Sequence, residues 1–214
     1  MSQAINDILA NDDLQDLYGD WSHEGVIPLP QEDFWVFGYG SLVWNPGFRH
    51  LDAQIAKISG YHRKFCVWSQ VYRGTPQRPG LVMGLRPGGS CTGRAFKVAA
   101  KDAAQVIPYL EKRELRFESY DVKWVSATCR NGQTVRALTF VVGPASPSLA
   151  KEDGEEISQG RIVELLAQCS GQAGTNKAYL DNLCEGLSEA GVSLGQLKAL
   201  KDQVDRAAAS RLGE

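Results

Sequence analysis

Two places in the chain gather residues able to do chemistry. The first is Phe37-Gly38-Tyr39-Gly40-Ser41-Leu42-Val43-Trp44, two glycines and a serine behind a compact aromatic and β-branched run. It looks at first like the G-x-G-x-x-G fingerprint of a dinucleotide site. Val43 stands where the third glycine belongs, however, and Asn45-Pro46-Gly47 follows where a helix should begin, so no helix N-terminus is offered to a pyrophosphate. A G-x-S-x-G nucleophile elbow fails too, because Tyr39 and Val43 occupy its glycine positions around Ser41. Two readings stay open. The glycines relieve the sterics of a tight turn, or Gly38 and Gly40 let the main chain approach a ligand and aim successive N–H groups at a carboxylate or oxyanion, with Ser41 adding a hydroxyl. The second place is the run Leu110 to Tyr120, where Glu111, Glu114 and Glu118 alternate with Lys112, Arg113 and Arg116. By residue type alone this is a solvated, salt-bridged helix end or a general base among cations.

Other chemistries find less support. The five cysteines (Cys66, Cys91, Cys129, Cys169, Cys184) are odd in number without a CxxC spacing, which argues against a disulfide framework and a zinc site. His23, His50 and His62 are scattered without ligand spacing, so no metal is expected. A net charge of −2 supplies no basic field, so nucleic acid is a poor partner. Met1 to Ala10 lacks a basic start and a continuous apolar stretch, and no apolar run approaches the roughly 20 residues that span a bilayer. The expectation is a soluble, reduced, cytoplasmic protein with no membrane partner.

The elements that must position these residues follow from the hydrophobic pattern. Residues 1–33 read as a partly helical extension: Ile5, Ile8, Leu9, Leu14 and Leu17 suggest a short amphipathic helix or two, and Pro28 and Pro30 punctuate the approach to the first strand. From 34 onward the chain reads as the main domain, 34–214. Strands are expected at Phe34 to Tyr39, Ala53 to Ser59, Tyr61 to Gln70, Leu81 to Leu85, Thr92 to Val98, Tyr120 to Cys129 and Gln133 to Val142. Asn131-Gly132 between the last two is a strong hairpin signal, since both turn positions are expected at φ > 0. One helix is expected over Asp102 to Arg113, kinked or shifted by Pro108. Three apolar stripes at helical spacing close the chain: Ile162, Leu165, Leu166 and Cys169; Tyr179, Leu180, Leu183 and Leu187; Leu194, Leu197, Leu200 and Val204. Strands first and helices last, with one helix inserted, indicate an α+β protein, and six or more short strands can close into a small barrel.

Val-Phe-Gly-Tyr-Gly-Ser-Leu-Val-Trp-Asn-Pro resembles the signature of the ChaC-like, glutathione-specific γ-glutamylcyclotransferases. Gly60-Tyr61-His62-Arg63, Arg73-Gly74-Thr75 with Pro79-Gly80, Gly93-Arg94-Ala95-Phe96, Leu110-Glu111-Lys112-Arg113-Glu114 and Gly174 to Leu180 fall in that family's order, so the resemblance runs from about Phe34 to about Leu187. It implies a small mixed β-barrel with flanking helices and a lyase that releases 5-oxoproline from glutathione without a cofactor. It also implies a substrate-binding turn at Phe37, Gly38, Tyr39, Gly40, Ser41 and Leu42, with Glu114 as the catalytic acid–base residue. The chain departs from the family's pattern where Leu115-Arg116-Phe117-Glu118-Ser119 precedes Tyr120, a bulkier and more charged loop that bears on the leaving group.

The implied reaction is an attack by the α-amine of the γ-glutamyl group on its own γ-carbonyl. Nucleophile and electrophile share one molecule, so holding a near-attack pose contributes much of the rate; in favourable intramolecular cases that is roughly 7–11 kcal/mol. One carboxylate can take the ammonium proton and return it to the leaving amine, and its pKa must then lie above the usual carboxylate range. Glu114 at a helix C-terminus meets an unfavourable dipole, which pushes in that direction; Glu118 is its rival. Tyr120 is a candidate hydroxyl partner for substrate or base, or a core tyrosine. Arg73 reads as a surface arginine or as a partner for the glycine carboxylate, and Asn176 and Tyr179 as residues that cap and pack a helix against the site. Other γ-glutamyl peptides or amines, and a binding module without turnover, are the alternatives.

Overall fold

The structure, a computed structural model, describes residues 25–115 and 119–211. The helices expected near the start of the chain, and Glu118, lie outside the described residues.

Five strands form a closed barrel in the order β1-β3-β2-β4-β5: β1 (Phe34–Gly38), β2 (Asp52–Ser69), β3 (Gly80–Val98), β4 (Asp121–Cys129) and β5 (Thr134–Val141). Neighbours pair antiparallel except β1 and β5, which close the ring in parallel. The barrel was expected from more, shorter strands. Two pairs of those segments are single strands here, because Gly60 (φ +87°), Gly88 and Gly89 absorb local irregularity without ending the pairing. β2 and β3 thus pair from Asp52↔Lys97 to Ser69↔Gly80, with register shifts between Ser59 and Tyr61 and between Phe65 and Val67. In the β4–β5 turn only Gly132 takes a positive φ, and Asn131 serves through its side chain, whose Oδ1 accepts from Gln133 N–H at 2.9 Å.

Alternation along the strands sends most apolar residues to two main cores. Val36, Val98, Leu138 and Phe140 meet Val106, Ile107 and Leu110 of α1 (Ala103–Glu114). Phe37, Ala95 and Ala137 face the other way, into a core completed by helices α2 (Gln159–Gln168), α3 (Asn176–Glu189) and α4 (Gln196–Arg211). Pro108 lies inside α1 rather than at its start; it and Ala104, whose carbonyl loses its i+4 donor, are both on the exposed face, where water can replace the bond. Short hairpins β6 (Lys151–Glu152) with β7 (Glu155–Glu156), and β8 (Ser170–Gly171) with β9 (Gly174–Thr175), flank α2.

Candidate active site

The glycine turn leaves β1 and winds at once into a single 3-10 turn, Ser41–Val43. Val43 N–H is the first to find a carbonyl within it, that of Gly40 at 2.9 Å, so the N–H groups of Ser41 and Leu42 lie outside the turn's own ladder. A Cβ on Gly38 would stand 2.7 Å from that of Leu42, so Gly38 lets the turn fold back on itself. A Cβ on Gly40 would meet the Tyr179 hydroxyl at 2.9 Å and Met83 at 3.2 Å, so Gly40 admits a tyrosine against the turn. The side chains of Phe37, Tyr39 and Leu42 pack into the two cores, leaving main-chain groups, the Tyr39 hydroxyl and Ser41 as the parts of the turn that can meet a ligand.

Arg113 ties this turn to the end of α1. It is 9% exposed and each of its nitrogens is used. Nη2 donates to Ser41 Oγ at 2.8 Å; Nη1 donates to the carbonyls of Asn45 (2.8 Å) and Pro46 (3.2 Å) and to the Tyr109 hydroxyl (2.7 Å). Nε reaches Glu114 Oε1 at 3.1 Å. The Glu114 side chain, 13% exposed, is therefore held beside the turn by its own neighbour in sequence. Burial raises the Glu114 carboxyl above its ordinary range, against the opposing pull of the Arg113 charge. Burial also works against the Arg113 charge, but Glu114 and the Tyr109 phenol outweigh it and hold the guanidinium firmly protonated. Glu111, one turn earlier, plays a different part. It is 1% exposed and accepts the N–H groups of Ile27 (2.7 Å) and Gly25 (3.3 Å). The solvated helix end is thus a buried one, because residues 25–27 cover it.

Three tyrosines lie near enough to the Glu114 carboxylate to feel its charge. Burial raises Tyr39, Tyr120 and Tyr179 above the usual phenol range, Tyr179 to about 12, and the Glu114 charge pushes each further up. All three are neutral hydroxyls at any working pH. Two of them fasten to one residue: the Tyr120 hydroxyl donates to the Met83 carbonyl at 2.8 Å, and Met83 N–H donates to the Tyr179 hydroxyl at 3.3 Å. Two residues earlier on the same strand, the Asn176 amide does the same for Leu81, accepting its N–H and donating to its carbonyl, both at 2.6 Å. β1 pairs with β3 only from Arg94 to Val98, so the other half of that β3 edge needs partners. Side chains three apart on α3, together with Tyr120 at the Met83 carbonyl, supply them, after Thr175 caps the helix by accepting from Ala178 N–H at 3.1 Å.

The structure therefore brings Tyr39, Ser41, Glu114 and Tyr120 together and adds Arg113 and Tyr179. Arg113 was hidden in sequence among other charges. Tyr179 and Asn176 left a faint signal as polar groups within an apolar stripe. Arg73, read as a surface arginine or a carboxylate partner, is only 6% exposed and lies 5.5 Å from the Tyr179 ring centroid. Among the described residues no cluster of three or more His, Cys, Asp or Glu side chains could hold a metal ion. The arrangement offers a buried, elevated carboxylate tied to a turn whose Ser41 and Leu42 N–H groups lie outside its own ladder, which suits proton transfer on a substrate carrying its own nucleophile.

A family model described as ChaC-like protein matches residues 34–207. The chain is 34% identical over 158 residues to a glutathione-specific γ-glutamylcyclotransferase of Escherichia coli K12, covering 74% of this chain and 67% of that one. It is 33% identical over 178 residues to one of Schizosaccharomyces pombe, covering 74% and 84%. Human glutathione-specific γ-glutamylcyclotransferase 1 is 33% identical over 155 residues, covering 71% and 68%. The crystal structure of a γ-glutamylcyclotransferase specific to glutathione from yeast shares the fold, with a TM-score of 0.72, 20% identity, and coverage of 82% of this chain and 99% of that one.

Proposed function

The chain belongs to the ChaC-like family, and on that premise we propose that it converts glutathione to 5-oxoproline and cysteinylglycine, with Glu114 moving the proton. The observation that carries the residue assignment is the Glu114 carboxyl itself, raised by burial and tied through Arg113 to the turn that carries Ser41.

The γ-glutamyl group lies against Phe37 to Leu42, with main-chain N–H groups such as those of Ser41 and Leu42 toward its polar atoms. Glu114 accepts a proton from the α-ammonium, and the freed amine attacks the γ-carbonyl carbon. A five-membered ring forms as negative charge gathers on the former carbonyl oxygen. Glu114 then returns the proton to the cysteinyl nitrogen as the carbonyl re-forms and the C–N bond breaks. It takes the second proton that the ring nitrogen still carries and passes it to the released amine, which leaves as an ammonium. One bond forms, one breaks, no water is consumed and the carboxylate ends as it began. An ordinary glutamate would be a weak acid–base partner for amines, so the elevation of Glu114 improves the match in both directions. Neutral Tyr39, Tyr120 and Tyr179 line the space with hydroxyls that add no charge, and Tyr120 is within the substrate's reach.

Incubating the full chain with glutathione and quantifying products by mass spectrometry tests this reading. Equal amounts of 5-oxoproline and cysteinylglycine are expected, with a lower kcat/KM on γ-glutamyl-alanine. Free glutamate in place of 5-oxoproline would replace cyclisation by hydrolysis, and equal turnover of γ-glutamyl-alanine would remove the preference for the tripeptide.

A further inference from the structure

Arg73 stands in surroundings that do not suit a cation. It is 6% exposed, and no Asp or Glu among the described residues forms an ion pair with it. Its guanidinium donates from Nη1 to the Thr175 carbonyl at 3.1 Å and lies over the Tyr179 ring, 5.5 Å from the centroid. Thr175 is the N-cap of α3, so the guanidinium sits near the positive end of a 14-residue helix. A buried charge ordinarily has a counter-charge, and two positive poles side by side call for an anion between or beside them. Burial accordingly depresses the Arg73 pKa, and only the neighbouring Tyr179 phenol works the other way.

Its position is also held firmly. Arg73 N–H donates to Ser69 Oγ at 3.0 Å, and Gly80 passes so close that a Cβ there would stand 2.2 Å from the Arg73 carbonyl oxygen. Tyr179 connects this cation to the catalytic centre: Arg73 lies over its ring, and its hydroxyl touches the space beside Gly40. Tyr72, next in the chain, is near enough to Arg113 for its phenol to bear on that charge. Arg73 and the glycine turn thus meet the same side chain, Tyr179, from its ring and its hydroxyl end.

Resting on the proposed reaction, we infer that Arg73, stacked on Tyr179 beside the N-cap of α3, binds a carboxylate of the γ-glutamyl substrate. Glutathione has two, on the glutamyl α-carbon and at the C-terminal glycine, and the same guanidinium chemistry serves either. Arginine's remaining donors allow a two-pronged contact that a lysine ammonium would not reproduce.

The test crosses substrate and protein. kcat/KM is measured for glutathione, for its C-terminal glycinamide and for its glutamyl α-carboxamide, with wild-type protein, Arg73→Met and Arg73→Lys. The amide that lacks the contacted carboxylate should be worse than glutathione on wild type by about tenfold to a hundredfold. That penalty should disappear in Arg73→Met and shrink in Arg73→Lys, and the analogue showing it names the carboxylate. If both amides keep their wild-type penalties in a folded Arg73→Met, the assignment is wrong. Should Arg73→Met not fold, undiminished penalties in Arg73→Lys overturn it equally. Failure of the proposed reaction itself looks different, since wild type would then form no 5-oxoproline from glutathione.

Discussion

At the scale of single residues, Arg113 and Glu114 form one ion pair in which the two pulls on the carboxylate oppose each other. Burial raises its pKa and Arg113 restrains the rise. Glu114→Gln keeps shape and hydrogen bonding but cannot take an ammonium proton, so kcat should fall by about 10²- to 10⁴-fold while KM changes less. The wild-type rate should rise with pH along an acidic limb as the carboxyl ionises, above the ordinary carboxylate range, and the variant should lose that limb. Glu118→Gln, assayed beside it, should be mild; an inactive Glu118→Gln with an active Glu114→Gln would move the base into the loop. Arg113→Met removes the restraint on Glu114, so the limb should move upward by about 1–3 pH units. It also leaves a buried carboxylate unpaired, which typically costs about 3–5 kcal/mol, visible in urea melts. A pH–rate profile that stays in place would show that Arg113 organises the turn without tuning the base.

At the scale of elements, the half of β3 that β1 leaves unpaired decides where the chemistry can sit. Leu81 and Met83 present main-chain groups to the same side, and Asn176, Tyr179 and Tyr120 complete them. The Asn176 amide is fully buried and mimics a strand partner by donating and accepting at once. Asn176→Asp is nearly isosteric, yet it exchanges the donor for an oxygen facing the Leu81 carbonyl. The protein should lose about 1–3 kcal/mol or more in urea unfolding, because a buried acceptor loses its partner. Its activity should fall too, since Tyr179 rides on the same helix face. Unchanged stability would mean that this edge is satisfied in some other way.

At the scale of the whole molecule, charge networks bind the helices to one another and the barrel to its surroundings. Lys177 and Asp181 of α3 and Lys201 and Asp205 of α4 form a ring with contacts of 2.6–2.9 Å. Lys64 and Arg86 hold Glu156, and Lys97 pairs with Asp33. Asp205 is held below its ordinary 3.8 by hydrogen bonds from Lys177 and Lys201; Asp33 lies below the same value through the Ala100 N–H and Lys97, and Glu156 below its 4.5 through Lys64. A lowered folded pKa gives stability that is present above the unfolded value and is lost as pH falls through the folded one. Glu114 runs the other way: its ionisation costs stability as pH rises from 4.5 through its raised value. The melting temperature should therefore fall steeply below about pH 4, and less steeply in high salt, because these partly exposed pairs are screened. A Tm that is level down to pH 2 would show the networks contribute nothing.

Much of this was legible in the chain because it is local. The α1 pattern, the α2 and α3 stripes and the β4–β5 hairpin are written in near-neighbour spacing, and the ordered motifs from Phe37 to Leu180 pointed to the family and, through it, to Glu114 as the base proposed above. The fusion of the strand segments around Gly60 and Gly88-Gly89 was not legible, since glycines mark a tolerated irregularity and a turn alike. Nor could charge patterning show that Glu111 and Arg113 are buried: residues 25–27 cover the first and the carbonyls of Asn45 and Pro46 receive the second, across 68 and 67 residues of chain for Arg113. The same holds for Arg73, which the sequence placed in a Gly/Pro-rich loop and which a helix cap 102 residues away encloses. Residue type and spacing determined which groups can exchange a proton. Burial, and therefore pKa and pairing, depends on which distant segments cover those groups, and only the tertiary structure decided that.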